Sequence, residues 1–269
     1  MTNGSTTPST NRERINEYLK NGKRFDERKP EEFREIIIEK NVSKKAEGSV
    51  KVKMGNTEVL VGIKMGVSEP YPDSLDEGVL MTTAELLPLS SERFENGPPK
   101  FPAIELGRVI DRILRESKFI DLKKLCIEKG KKVWTVFVDI YSLNDDGNLL
   151  DAAGIGAVVA LRNAVLPKYD EKEGKINYDE PSKTKLPLSK STPISITIHK
   201  IGNSLLTDPT REEEDISETR VTIGMMDNSI SSMQKGESQI LTIDETKKII
   251  DMAEKVHEKV LKSINKYLD

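Results

Sequence analysis

Cysteine, histidine and aromatic residues are scarce in this chain of 269 residues, and each shortage excludes something. The single cysteine, Cys126, cannot form an intramolecular disulfide and suits a reducing cytoplasm. Two histidines, His199 in an apolar strand and His257 on a C-terminal helix, supply too few donors for a zinc site, and no metal or other cofactor is expected. A Gly-x-Ser-x-Gly elbow is missing, which argues against a Ser/His/Asp hydrolase. No apolar stretch approaches the ~20 residues of a membrane span, and no apolar signal core opens the chain, so no membrane partner is expected. Aromatic residues make up only 5%. Charge of one sign is lacking too. The 45 acids and 42 bases nearly cancel to −3, so any nucleic-acid site has to be a local cluster of bases.

The chain is long enough for one large domain or two small ones. Residues 1–11 are rich in Ser, Thr, Pro and Asn and read as a disordered tail, and Arg14 to Lys20 as a short helix. Val50 to Met54, the turn Gly55-Asn56 and Val59 to Met65 form a strand, tight turn and strand. Val79 to Leu87 is a further strand, ended by the Pro/Gly loop Glu92 to Pro102. A helix is expected over Ile104 to Lys118, a long strand over Lys131 to Leu143, and a helix of small residues over Ala152 to Leu166, stopped by Pro167. The glycines of that helix cost roughly 1 kcal/mol each relative to alanine, and close packing on a sheet is the reason to keep them.

Residues 168–192 read as a polar connection. Ile194 to His199, Gly202-Asn203 and Ser204 to Thr207 repeat the first hairpin, Thr219 to Met226 and Ser229 to Lys235 form another, and Asp244 to Leu268 is a long amphipathic helix. The repeated Gly-Asn hairpins, each ahead of a helix, hint at an internal duplication with halves near 24–167 and 193–269, within one domain spanning 12–269.

On the helix Ile104 to Lys118, Arg108, Arg112 and Arg115 fall within an arc of roughly 60°, opposite the apolar stripe of Leu106, Val109, Ile110 and Ile113. Three guanidiniums about a turn apart suit successive phosphates of a nucleic-acid strand. The plainer reading pairs Arg108 with Asp111 or Glu105 and Arg112 with Glu116 on the surface.

Downstream, the turn Asp145-Asp146-Gly147 leads into the helix of small residues. A helix start after a glycine turn favours an anion, but the positions that would face it are Leu150 and Asp151, one without a donor and one that repels phosphate. Asp139, Asp145 and Asp146 could suggest a cation site, yet Asp-Asp-Gly forms turns by its own backbone chemistry, and no metal is expected.

The run VFVDIYSLNDDGNLLDAAGIGAVVALRNA, with NGKRFDERKPEEFREI, AEGSVKVKMGNTEVLV and ELGRVIDR, resembles the ribonuclease PH family from about Asn21 to the C-terminus. Within it, the likeness is nearest to the non-catalytic ring subunit of the archaeal exosome. The resemblance implies an α+β ribonuclease PH-like fold built from two related β/α halves. It also implies a six-membered ring in which the chain alternates with a catalytic paralogue, RNA-binding cap proteins on that ring, and single-stranded RNA held by Arg108 and Arg112. Arg115 is a geometric extension of that pair.

Catalytic family members carry Ser-Arg where Leu150 and Asp151 stand. They carry an Arg-Arg pair where Phe101 and Pro102 stand, and an acid where Arg220 or Thr219 stands, with Glu218 and Asp215 nearby but outside the pattern. The family therefore implies no catalytic residue in this chain. The acidic run Arg211-Glu212-Glu213-Glu214-Asp215 reads as a solvated loop. Lys44 and Lys45 read as solubilising lysines or, alternatively, as charge near the RNA path. Two rivals stay open: a purely structural ring component without RNA contact, and an active phosphorolytic exoribonuclease with a rearranged site.

Overall fold

Two sheets enclose a pair of helices in the computed structural model, which describes residues 9–170 and 173–268. The chain opens with α1 (Ser9–Lys20), then β1 (Ile36–Lys40), β2 (Gly48–Met54), β3 (Thr57–Ser68) and β4 (Val79–Leu86). Next come α2 (Phe101–Glu116), β5 (Cys126–Glu128), β6 (Lys132–Asn144) and α3 (Leu149–Asn163). A hairpin of β7 (Val165–Asp170) and β8 (Lys175–Lys185) precedes the second half: β9 (Ile194–Ile201), β10 (Ser204–Thr207), α4 (Arg211–Asp215), β11 (Thr219–Met226), β12 (Ser229–Gly236) and α5 (Ile243–Ile264).

The first sheet runs in the order β1-β2-β3-β6-β4, with β4 parallel to β6 and β5 paired to the same strand. The second runs β10-β9-β11-β12, all antiparallel. Along β3 buried and half-buried residues alternate, as expected of a strand with one face on a core. Both Gly-Asn hairpins form as expected, pairing Met54 with Thr57 and Ile201 with Ser204. Glycine leads each two-residue loop at φ +58° and +57°, the first central position where a II′ turn requires it.

α3 packs against β2 and β3 on one side and β9 on the other. A Cβ at Gly154 would lie 2.2 Å from the Ser195 Oγ, and one at Gly156 2.7 Å from the Val61 Cγ2. These glycines let a helix sit between two sheets. Alternation along β9 turns Ser195 and Thr197 toward α3 and Ile194, Ile196 and Ile198 to the opposite face, and α5 packs on the same strand. One apolar cluster runs through both halves, from Val52 and Ile63 through Ala153 and Ile155 to Ile196, Ile223 and Val256.

Several expectations are corrected. Ser9 to Asn11 belong to α1 and not to a tail; residues 1–8 lie outside the described residues. α2 begins at Phe101, because Pro102 is tolerated in a first turn, where its missing N–H has no helical partner to lose. α3 ends at Asn163, and Val165 already starts β7, so Pro167 sits in a strand and does not itself stop the helix. The polar connection contains the β7–β8 hairpin. β1 was not visible as a strand, because it is only five residues long and its last two, Glu39 and Lys40, are charged.

Candidate nucleic-acid interface

α2 buries Leu106, Val109, Ile110, Ile113 and Leu114 against the sheets and leaves Arg108, Arg112 and Arg115 exposed, as its periodicity predicts. The expected surface pairs do not form. Among the described residues Arg108 has no hydrogen bond or ion pair. Arg112 makes one long contact, donating from Nη1 to the Gln234 Oε1 at 3.5 Å. Arg115 differs. Its Nε and Nη2 donate to the two Asp111 carboxylate oxygens at 3.0 Å each, and Nη2 also donates to the Leu80 carbonyl at 3.1 Å. That pairing holds its pKa above the ordinary arginine value. Asp111 thus neutralises Arg115, and Glu105 is drawn elsewhere, which leaves two free cations on the stripe and not three.

The turn before α3 is filled by the chain itself. Asp145 Oδ1 accepts from the Gly147 N–H at 3.2 Å, closing the turn locally. Arg34 donates to the Asp146 carbonyl at 2.9 Å and the Gly147 carbonyl at 3.1 Å, and bridges to the Asp208 carboxylate at 2.7 Å. Asp208 also takes Arg28 at 2.7 Å and the Asn148 Nδ2 at 3.0 Å. Burial pushes the Asp208 carboxyl up, but Arg34 and Arg28 outweigh it and hold it below the usual range. Beneath it Arg24, fully buried, donates to both oxygens of Glu213, at 2.9 and 2.5 Å.

Asp151 does not face an anion at all, which corrects the expectation. The carboxylate is wholly buried and accepts from the Thr197 backbone N–H at 3.0 Å and Oγ1 at 2.8 Å, joining α3 to β9. Burial, against those hydrogen bonds, raises its pKa to about 7. Leu150 beside it is half-buried.

The acidic run is likewise no solvated loop. Thr210 and Glu213 form a capping box at the start of α4, and Glu213 is buried on Arg24. Arg211 reaches Asp215 at 2.5 Å, Glu214 at 3.8 Å and Asp145 at 3.9 Å, while Arg93 also pairs with Asp145. Burial and the neighbouring Asp145 raise the Glu214 carboxyl. Arg220 binds Glu105 of α2 at 2.6 Å and Glu237 at 3.4 Å. Its neighbour Thr219 is buried and donates to the Gly236 carbonyl at 3.0 Å. Each arginine here is already paired with a carboxylate, while the Arg93 Nε and the Arg211 Nη1 are buried without a hydrogen-bond partner among the described residues.

The remaining candidates are scattered. Phe101 and Pro102 lie exposed in the first turn of α2. Lys44 and Lys45 are exposed, and the Lys45 carbonyl accepts from Lys64 at 2.8 Å. Asp139 accepts from Thr83 at 2.8 Å and is remote from Asp145 along β6. Among the described residues no cluster of three or more His, Cys, Asp or Glu could hold a metal. His199 is buried, its Nδ1 3.1 Å from the Ser217 Oγ, and burial lowers its pKa to about 3; burial lowers that of His257 as well.

Models of the 3′ exoribonuclease family match residues 32–167 (domain 1) and 191–256 (domain 2), the two halves flanking the β7–β8 hairpin. The chain belongs to the ribonuclease PH family. It is 49% identical over 243 residues to the exosome complex component Rrp42 of Thermoplasma acidophilum, covering 90% of each chain. To the Rrp42 component of Pyrococcus furiosus it is 46% identical over 267 residues, 98% of this chain and 96% of that one. Among solved structures, a chain of the Archaeoglobus fulgidus exosome with RNA bound to the active site superposes with a TM-score of 0.85 at 43% identity, covering 93% of this chain and 98% of that one. A chain of an archaeal exosome core gives 0.83 at 39% identity, covering 97% of both. The ribonuclease PH fold thus accounts for both sheets, and the α+β expectation holds.

Proposed function

We propose that this chain is a non-catalytic subunit of a hexameric, phosphorolytic 3′–5′ exoribonuclease ring of the archaeal exosome kind. In it the chain alternates with a catalytic paralogue beneath RNA-binding cap proteins, in the cytoplasm. It completes the ring, supports the partner's active site and holds substrate RNA on Arg108 and Arg112. One observation carries the reading. At the start of α3, the turn is bound by Arg34 and the Asp151 carboxylate is folded into the core, which speaks against a phosphate clamp at this turn. Phosphorolysis requires a clamp and a charge-handling group in one place. Arg220 or Thr219 stands where the family resemblance places an acid; Arg220 is neutralised by Glu105, and Thr219 donates to the Gly236 carbonyl.

Two free arginines on one helix face suit contact with phosphates, which makes RNA binding largely independent of sequence and sensitive to salt. The test is co-expression with a catalytic family member, mass measurement of the complex, and a poly(A) degradation assay with and without phosphate. The assembled ring is expected to shorten poly(A) only with phosphate, and the chain alone to leave it intact. Phosphate-dependent shortening by the isolated chain, or a stable homohexamer of it, defeats the proposal.

A further inference from the structure

The first residue of α2 stands out on the arginine face. Phe101 is 73% exposed, and Ile104 beside it is 49% exposed. At 100° per residue Phe101, Arg108 and Arg112 fall within about 40° of one another, so a single stripe carries an aromatic ring followed by two cations. Of the other exposed rings, Tyr18 and Phe25 meet edge to face at 4.9 Å and the Lys64 Nζ lies 4.5 Å over Tyr178, while Tyr71, 51% exposed, sits in the loop between β3 and β4 and not on α2. Among the described residues no ring or cation contact covers Phe101. Pro102 follows it, and the fixed ring of that proline stiffens the turn that presents the phenyl group.

We propose that Phe101 is a stacking platform for a base of single-stranded RNA, placed at the head of the stripe whose arginines take the phosphates. This rests on the RNA-binding reading given above and adds a base contact to it. Single-stranded nucleic acids are held by this combination of cations along the backbone and aromatic faces under the bases, and stacking tolerates any sequence because every base has a π-face. The position that the family resemblance assigns to an arginine pair thus serves a base and not a phosphate.

The test uses the ring assembled with a catalytic family member and an oligo(A) probe, intact or carrying one abasic residue. Phe101→Ala is expected to weaken oligo(A) binding about five-fold or more, with the salt dependence unchanged, because no charge is removed. The abasic probe that loses as much affinity on the parent ring is expected to lose nothing further on Phe101→Ala. Phe101→Trp is expected to keep the affinity and to show quenched emission on RNA binding, against the buried background of Trp134. Unchanged affinity in Phe101→Ala, an unquenched Phe101→Trp, or a ring that falls apart in Phe101→Ala and so marks a protein contact overturns the proposal. If Arg108→Ala with Arg112→Ala weakens binding while Phe101→Ala does not, only the platform fails. If neither does, the RNA reading fails as well.

Discussion

Arginine is used in two opposite ways in this molecule. Arg24, Arg28 and Arg34 are buried or nearly so and converge on Glu213, Asp208 and the turn before α3. Arg108 and Arg112 sit on the exposed face of α2 with nothing or one long contact. A buried guanidinium has to be matched by carboxylates and carbonyls, because an unpaired buried charge is very costly; once matched, it has no capacity left for a ligand. An exposed one can remain unpaired at little cost and keep all its donors. The buried arginines are therefore the least able to bind phosphate, and those on the helix surface the most able.

Breaking the buried side should give the largest effect. Asp208→Ala leaves Arg28 and Arg34 without their shared carboxylate and is expected to destabilise the chain by about 3–5 kcal/mol, measured by denaturant midpoint. A loss under about 1 kcal/mol would show that the network is dispensable. The exposed side should behave inversely. Arg108→Ala with Arg112→Ala is expected to change stability by no more than about 0.5 kcal/mol. It should weaken RNA binding by the assembled ring and flatten the slope of log affinity against log salt by about 1.4, roughly 0.7 for each phosphate contact on a single strand. Adding Arg115→Ala should flatten it little further, because Asp111 already holds that charge.

A pH-dependent test sharpens the contrast at Asp151. Its pKa is 3.8 ordinarily and about 7 when folded, so between these values the folded chain holds a proton that the unfolded chain has released. The associated stability is complete below about 4 and lost as pH rises through about 7. Asp151→Asn, which can still accept from the Thr197 N–H, is expected to remove that slope. Unfolding midpoints at pH 4 and pH 8 would check it, and equal pH dependence in parent and variant would count against a proton at this site.

Much of the architecture was legible because it is periodic. The alternation in β3, the Gly-Asn loops and the amphipathic stripes of α2 and α5 are local patterns, and local patterns survive in sequence. The boundaries near Pro102 and Pro167 were not, since a proline is compatible with both a first helical turn and a strand. In the site, the exposure of Arg108 and Arg112 followed from helical spacing. The partners of Arg115, Arg220 and Glu213 did not, because competing carboxylates lie at similar sequence distances or more than a hundred residues away.

The sequence by itself determined that this is a ribonuclease PH chain with Leu150 and Asp151 at the head of α3, because residue types are fixed before folding. Only the tertiary structure decided where those side chains point. Asp151 turns inward because the Thr197 amide and hydroxyl, brought to it by packing of β9 on α3, offer a buried carboxylate the hydrogen bonds that solvent no longer can.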